Sequence, residues 1–320
     1  MLKEISVEIL RKCPNNCLHC SSKSNINCNE QISFEKFIEV VDSAKALDVQ
    51  TICFSGGEPF IHPDIVRMID YVHSKGIQTY IYTSGIFLDN NNLSEIPESL
   101  IYNISSNVTK LIFNLETVTP SIYDSIMGTK DCFKYLKASI ESAVKAGITC
   151  EAHFVPMKLN ISEVEKIIEF CDEVKISKLS FLRFVPHGRG EINKEKLLLS
   201  DDEQKCFIEK LKDIKNKRKN SIRIGVPLIN NIENVVCEAA NGKLNIKYDG
   251  YVYPCEVFKN TMQFIKSGAK AESIYEKSLK EIYLNSEYLC SIRQYIDSFK
   301  CSHNCENCAG QMYLQEIKSN

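Results

Sequence analysis

Cys13-Pro-Asn-Asn-Cys17-Leu-His-Cys20 puts three thiols on one short stretch, and thiolates that close together must converge. A structural zinc closes its tetrahedron with four ligands. No fourth ligand stands at finger-like spacing, and His19, held between Leu18 and Cys20, is too constrained to point inward as well. A four-iron cluster held by three thiolates keeps one iron open, free to bind a substrate or a cofactor. A second feature is Gly56-Gly57-Glu58-Pro59. Glycines let backbone approach a ligand, and a carboxylate can pair with an ammonium. Six more cysteines, Cys237, Cys255, Cys290, Cys301, Cys305 and Cys308, fall in the last third of the chain.

The elements that must position these groups follow from periodicity. Residues 5 to about 186 repeat a β-rich run, an amphipathic helix and often a glycine, which predicts a parallel sheet with right-handed crossovers. Six strands are expected: Ile5–Leu10, Thr51–Ser55, Gln78–Thr83, Lys110–Glu116, Thr149–Val155 and Lys178–Val185. Phe34, Phe37, Ile38 and Val41 follow one helical face behind a Ser33 cap. Phe133, Leu136, Ile140 and Val144 make another, and Gly76 and Gly147 sit where helices end. Six units predict an incomplete (β/α)6 barrel, with a doubly wound open sheet as the alternative. Residues 1–190 are read as this barrel, 191–234 as a charged helical connector and 235–320 as a small cysteine-rich domain. Lys210, Lys212, Lys215, Lys217, Arg218 and Lys219 read as a solvated helix face, since no aromatic residues alternate with them to stack bases.

The 320 residues carry 39 basic and 41 acidic side chains, a formal charge of −2. That balance gives no electrostatic reason to expect nucleic acid or an anionic membrane as partner. The first residues contain no unbroken apolar block, so neither a signal peptide nor a membrane span is expected. The reducing cytoplasm is the expected location, and there 15 cysteines speak for metal or cluster binding over disulfides.

With these motifs in view, the chain resembles the radical S-adenosylmethionine (SAM) enzymes, whose C-x3-C-x2-C loop follows the first strand of a partial barrel. The resemblance implies a [4Fe-4S] cluster on Cys13, Cys17 and Cys20 with an open iron that binds SAM. It implies that Gly56, Gly57, Glu58 and Pro59 receive the methionyl amino group. By the same resemblance Thr83 and Ser84 are polar contacts to the methionine moiety, and Asn114 and Glu116 face the ribose. His19 joins this cofactor-binding set. Arg183, with Pro186-His187-Gly188-Arg189, is similar to the segment that closes the adenosyl pocket. In a parallel barrel the C-terminal strand ends share one rim, and every one of these motifs falls at such an end. The alternatives are a zinc knuckle or reactive thiols for the loop, and ordinary rim residues for Asn114, Glu116 and Arg183.

Asp249-Gly250 predicts a tight turn that returns Cys255 toward Cys237. The spacing is similar to the opening of the SPASM/twitch extension, which holds auxiliary iron–sulfur clusters. Two all-thiolate four-iron clusters need eight cysteines, so six imply one auxiliary [4Fe-4S] cluster. Cys237, Cys255, Cys305 and Cys308 are the expected ligands, with Cys301 as substitute; a four-cysteine zinc site is the alternative. Cys53, Cys150 and Cys171 read as small buried hydrophobes. Cys206 and Cys290 are the candidate catalytic thiols that return a hydrogen atom to a substrate radical. Tyr248, Tyr251 and Tyr253 read as hairpin packing, and His62, His73, His153 and His303 as structural.

The resemblance implies an enzyme that reductively cleaves SAM to a 5′-deoxyadenosyl radical and abstracts a substrate hydrogen. A flavodoxin or ferredoxin would serve as electron donor. The extension implies a ribosomally made peptide substrate, modified by epimerisation or by a thioether or carbon–carbon link. Twelve residues before Cys13 leave no room for an N-terminal leader-binding module, and sulfatase-type maturation is disfavoured by the missing second auxiliary cluster. A small molecule such as a sugar, nucleotide or cofactor precursor is the alternative substrate class. A non-catalytic iron–sulfur or zinc protein is the remote one.

Overall fold

The computed structural model describes residues 1–90, 92–217, 222–225, 237–302 and 308–319, with backbone alone at 217, 299–302 and 318–319. Arg218, Lys219, His303 and Cys305 lie outside the described residues, as does the side chain of Cys301.

All six expected strands form. They are β1 (Glu4–Leu10), β2 (Thr51–Gly56), β3 (Gln78–Thr83), and, after a hairpin of β4 (Ile86–Asp89) and β5 (Asn92–Glu95), β6 (Lys110–Asn114), β7 (Thr149–Phe154) and β8 (Lys178–Phe181). Between them run α1 (Phe34–Lys45), α2 (Ile65–Ser74), α3 (Glu98–Ile104), α4 (Pro120–Met127), α5 (Phe133–Lys145) and α6 (Val164–Glu173). The local signals hold. Ser33 accepts from the Lys36 N–H and caps α1, which buries Phe37, Val40, Val41 and Ala44. Beyond β8 come α7 (Arg189–Ile192), α8 (Lys194–Leu197), α9 (Asp201–Lys217), β9 (Ile222–Ile224), β10 (Lys243–Ile246) and β11 (Val252–Tyr253). The described chain closes with α10 (Leu279–Asn285), α11 (Glu287–Ser302) and α12 (Ala309–Ser319).

One sheet of nine strands, ordered β11-β10-β1-β2-β3-β6-β7-β8-β9, carries the fold. Its pairings are parallel except for β10 with β11. The Asp249-Gly250 hairpin forms as expected, and its β10 strand pairs with β1 from Glu4↔Lys243 to Val7↔Ile246. The cysteine-rich segment therefore continues the barrel sheet, and β9 extends the opposite edge. The β4–β5 hairpin and β9 were not expected.

Side chains alternate across this sheet. Ile5, Val7, Ile52, Phe54, Leu111, Phe113, Phe154 and Phe181 face the helices and build the core. The other face is polar: Ser6 pairs with Cys53, Cys53 with Tyr80, Tyr80 with Lys110, and Asn114 with His153. Complete barrels fill this space with branched apolar residues; here Lys110 meets Glu151 at 3.0 Å, and the Tyr82 and His153 rings lie 5.4 Å apart. Cys53 is buried, as expected, but on this polar face; Cys150 and Cys171 are buried too. Among the described residues no helix is long and apolar enough to cross a membrane.

Candidate active site

The loop leaving β1 is gripped from two sides. From α4, the carbonyls of Met127 and Ile126 accept the N–H groups of Asn16 and Leu18 at 2.9 and 2.8 Å. From the other side Arg189 binds three loop carbonyls: its Nε donates to Cys17 O at 2.8 Å, its Nη2 to Ser24 O at 2.7 Å and its backbone N–H to Cys20 O at 2.9 Å. Gly188 makes that approach possible. Its φ is +57°, and a Cβ there would lie 2.3 Å from Ser21 O.

Cys13 is buried, Cys17 and Cys20 partly so, and none is in a disulfide. Burial pushes the Cys13 and Cys17 thiols up, and the neighbouring cysteine charges add to it, so the three sulfurs sense one another. The Ser24 N–H donates to Cys20 Sγ at 3.4 Å. On α4, Tyr123 is fully buried, its hydroxyl has no partner, and it lies within charge range of Cys17 and Cys13. Among the described residues no group of three or more His, Cys, Asp or Glu side chains is arranged to hold a metal ion. Unpaired thiols, an N–H already on one sulfur and a buried hydroxyl in need of an acceptor fit a cluster with inorganic sulfide.

Gly56 and Gly57 press closely on the chain that enters the cysteine loop. A Cβ on Gly57 would lie 1.8 Å from Lys12 O, and one on Gly56 2.2 Å from Leu10 O. The Gly57 and Glu58 N–H groups bond Leu10 O and Lys12 O at 2.7 and 2.9 Å. The glycine pair thus lets the end of β2 press on the chain entering the cysteine loop. Glu58, with no exposed surface, accepts four bonds: Thr83 Oγ1 at 2.7 Å and Phe60 N at 3.3 Å on one oxygen, Ser84 N at 2.8 Å and Ser84 Oγ at 2.6 Å on the other. A carboxylate has about four acceptor sites, all in use here. Thr83 and Ser84, expected at the cofactor, donate to Glu58, and an ammonium reaches this carboxylate only by displacing a donor.

At the next strand end, Glu116 accepts the Val155 N–H at 3.0 Å, and its other oxygen lies 3.5 Å from His19 Nε2. Burial pushes Glu116 up to about 8, and burial with Arg189 nearby pushes His19 down to about 4. Both shifts favour uncharged forms, so they meet as a neutral pair rather than as a salt bridge. His19 Nδ1 is buried without a partner. Asn160, also fully buried, fixes this corner by donating to Glu116 O at 2.9 Å and Val155 O at 3.1 Å. Asn114 takes its place on the polar sheet face beside His153.

The Glu116 shift has a sign that can be tested. Between its ordinary 4.5 and about 8 the folded protein keeps a proton that the unfolded chain has lost, so this group's contribution to stability falls as pH rises through that window. Glu116→Gln removes the dependence. In denaturant titrations of the metal-free protein, the stability of wild type relative to Glu116→Gln is expected to decline from pH 5 to pH 8. A constant difference would show that the carboxyl ionises normally.

Arg183 lines a cavity of about 890 Å³ shared with Arg11, Lys23, Phe184, Tyr248 and Gln311. It lies within charge range of Cys308 and Asp201. None of Cys13, Cys17 and Cys20 lines the cavity, which adjoins their loop at Ser21, Ser22 and Lys23. Of the auxiliary set, Cys237, Cys255 and Cys308 come together: burial raises the Cys255 thiol, and the charges of Cys308 and Cys237 raise it further. Cys206 on α9 and Cys290 on α11 are exposed and line no part of this cavity. The hydrogen-donor reading of those two thiols has no support in their placement. Asn160 and Tyr123 went unassigned in the sequence, and the grip of Arg189 on the cysteine loop was not foreseen. Only Arg189 carried a signal, as the last residue of the Pro-His-Gly-Arg segment.

Residues 7–171 match the model of the Radical SAM superfamily, and residues 237–309 that of an iron–sulfur cluster-binding domain, SPASM. PqqA peptide cyclase of Rhizobium meliloti (strain 1021) is 24% identical over 284 residues, covering 87% of this chain and 72% of that protein. Fe-coproporphyrin III synthase of Methanosarcina barkeri (strain Fusaro / DSM 804) is 26% identical over 203 residues, 61% of this chain and 47% of that protein. Among solved structures, SuiB of Streptococcus suis superposes with a TM-score of 0.73 in its S-adenosylmethionine complex, at 17% identity over 92% of this chain and 68% of that one. Its complex with the precursor peptide SuiA gives 0.72, at 18% identity over 92% of this chain and 67% of that one. At such identities the likeness is one of fold.

Proposed function

The chain belongs to the radical SAM superfamily and is a radical SAM enzyme with an iron–sulfur cluster-binding SPASM domain, and from that premise we propose that it modifies a ribosomally made peptide. The bound cluster and SAM supply the hydrogen-abstracting radical. Cys13, Cys17 and Cys20 would hold the cluster, Arg189 and α4 keep their loop in place, and Glu58 ties the ends of β2 and β3 together. Glu116 and His19 form a neutral, buried wall, suited to an adenosine moiety rather than to a charged group. Cys237, Cys255 and Cys308, with Cys305 or Cys301, would hold one auxiliary cluster.

The observation that carries the peptide reading is the match to a peptide cyclase along most of both chains, accompanied by the fold likeness to SuiB, whose structure includes a precursor peptide. The cavity beside the cysteine loop supports it. Arg11, Lys23 and Arg183 give its lining positive charge that suits carboxylates, and Phe184, Leu198 and Leu314 offer apolar contact. A small-molecule substrate is the second reading, favoured by the match to Fe-coproporphyrin III synthase.

The test is anaerobic reconstitution with iron and sulfide, followed by reduction in the presence of SAM and of short peptides encoded beside the gene. The expected result is 5′-deoxyadenosine together with a peptide product that is either lighter by two hydrogens or unchanged in mass but labelled from deuterated water. Iron-free protein, or no 5′-deoxyadenosine under a strong reductant, would overturn the enzymatic reading. 5′-Deoxyadenosine formation that no peptide stimulates, but a porphyrin precursor does, would move the substrate to the second class.

A further inference from the structure

Behind the cysteine loop a buried ammonium joins three distant parts of the chain. Lys259, 4% exposed, follows Cys255 in the cysteine-rich segment. Its Nζ donates to Glu8 Oε1 on β1 at 2.6 Å and to Ser22 Oγ at 2.9 Å, and Ser22 Oγ donates to the same Glu8 oxygen at 2.8 Å. Glu256 Oε2 stands 3.6 Å from the ammonium. Glu8 is 1% exposed, and its second oxygen has no hydrogen-bond partner. Ser22 is two residues beyond Cys20, and the Cys20 charge is among those that favour the ammonium.

Stability does not account for this arrangement, because a buried ion pair seldom outperforms well-packed apolar side chains of the same volume. What it does provide is a fixed positive charge in a low-dielectric setting near one thiolate ligand, balanced by a fixed negative one. Charges so placed tune an iron–sulfur centre, since a cation favours the added electron and an anion opposes it. We propose that Lys259 is a positioning residue through which the SPASM segment sets, against Glu8, the electrostatic environment of the cluster on Cys13, Cys17 and Cys20. The inference rests on the functional reading above for the presence of that cluster.

The test is a redox titration of the reconstituted protein, following the cluster whose electron paramagnetic resonance spectrum changes when SAM is added. Lys259→Met is expected to shift its midpoint potential to more negative values, Glu8→Gln to less negative values, and the double variant to return close to wild type. Lys259→Arg keeps the charge and should stay near wild type. Should Lys259→Met fail to fold, Glu8→Gln and the double variant, in which neither charge remains, still isolate the lysine: removing it in the Glu8→Gln background must make the potential more negative. A purely structural role would move both single variants in one direction or neither, and either result overturns the proposal. Wild-type protein with no SAM-sensitive cluster signal would overturn the functional reading, and this inference with it.

Discussion

Cys17→Ala is expected to reduce SAM cleavage to background, a loss of at least about a thousandfold, as when one member of an interdependent catalytic unit is removed. The reason lies in the ligand count. Three thiolates hold a four-iron centre while leaving one iron open, and the other candidates are engaged: His19 is turned to Glu116, Cys28 Sγ donates to Lys23 O and Cys132 Sγ donates to Lys130 O. The variant should fold. Cys17 is held by its carbonyl, which accepts from Arg189 Nε and from the Cys20 N–H, and these bonds do not involve the thiol. Iron should fall to roughly half, because Cys237, Cys255 and Cys308 stand as a separate group and retain the auxiliary cluster. Iron and sulfide analysis beside a 5′-deoxyadenosine assay checks both parts. Full iron with full activity would remove Cys17 from the ligand set.

The six barrel strands and the ends of their helices were legible because they rest on short-range patterns. Alternation, a Ser33 cap and glycines at 76 and 147 are each satisfied within a few residues. The Asp249-Gly250 hairpin belongs to the same class. What was not legible depends on contacts far apart in sequence. The pairing of β10 with β1, 239 positions apart at Glu4↔Lys243, leaves no local mark. Neither does the bond from Arg189 to Cys17 O across 172 residues, nor that from Lys259 to Glu8 across 251. Glu58 shows how a correct motif can carry an incomplete role. Its position at a strand end was readable, whereas the saturation of its carboxylate by Thr83, Ser84 and Phe60 depends on how β2 and β3 finish side by side. The close approach of the two glycines before it to Leu10 and Lys12 depends on the same meeting of distant segments and left no mark in the sequence.

Glu58→Ala is expected to destabilise the metal-free protein by about 3–5 kcal/mol, because several buried donors lose their acceptor at once. The substitution leaves the Phe60 and Ser84 N–H groups and the Thr83 and Ser84 hydroxyls without their acceptor, in a place where Glu58 itself had no exposed surface. Each buried donor left unmet costs about 1–3 kcal/mol before relaxation. Glu58→Gln should fall between wild type and Ala, because an amide keeps one acceptor oxygen and turns its NH₂ toward donors. Thr83→Val removes a single bond and should cost only about 1 kcal/mol. Denaturant unfolding of the four proteins under reducing conditions tests that order. The same series separates two roles for the carboxylate. If Glu58 acts by holding Ser84 and the end of β3 in place, Ser84→Ala weakens SAM binding along with Glu58→Ala; if it acts only by direct contact with the SAM ammonium, Ser84→Ala leaves an acceptor site vacant for that ammonium and binding is kept or strengthened. Four donors already seated on two oxygens favour the first outcome, because an incoming ammonium must exchange for a hydrogen bond that the folded protein has already made.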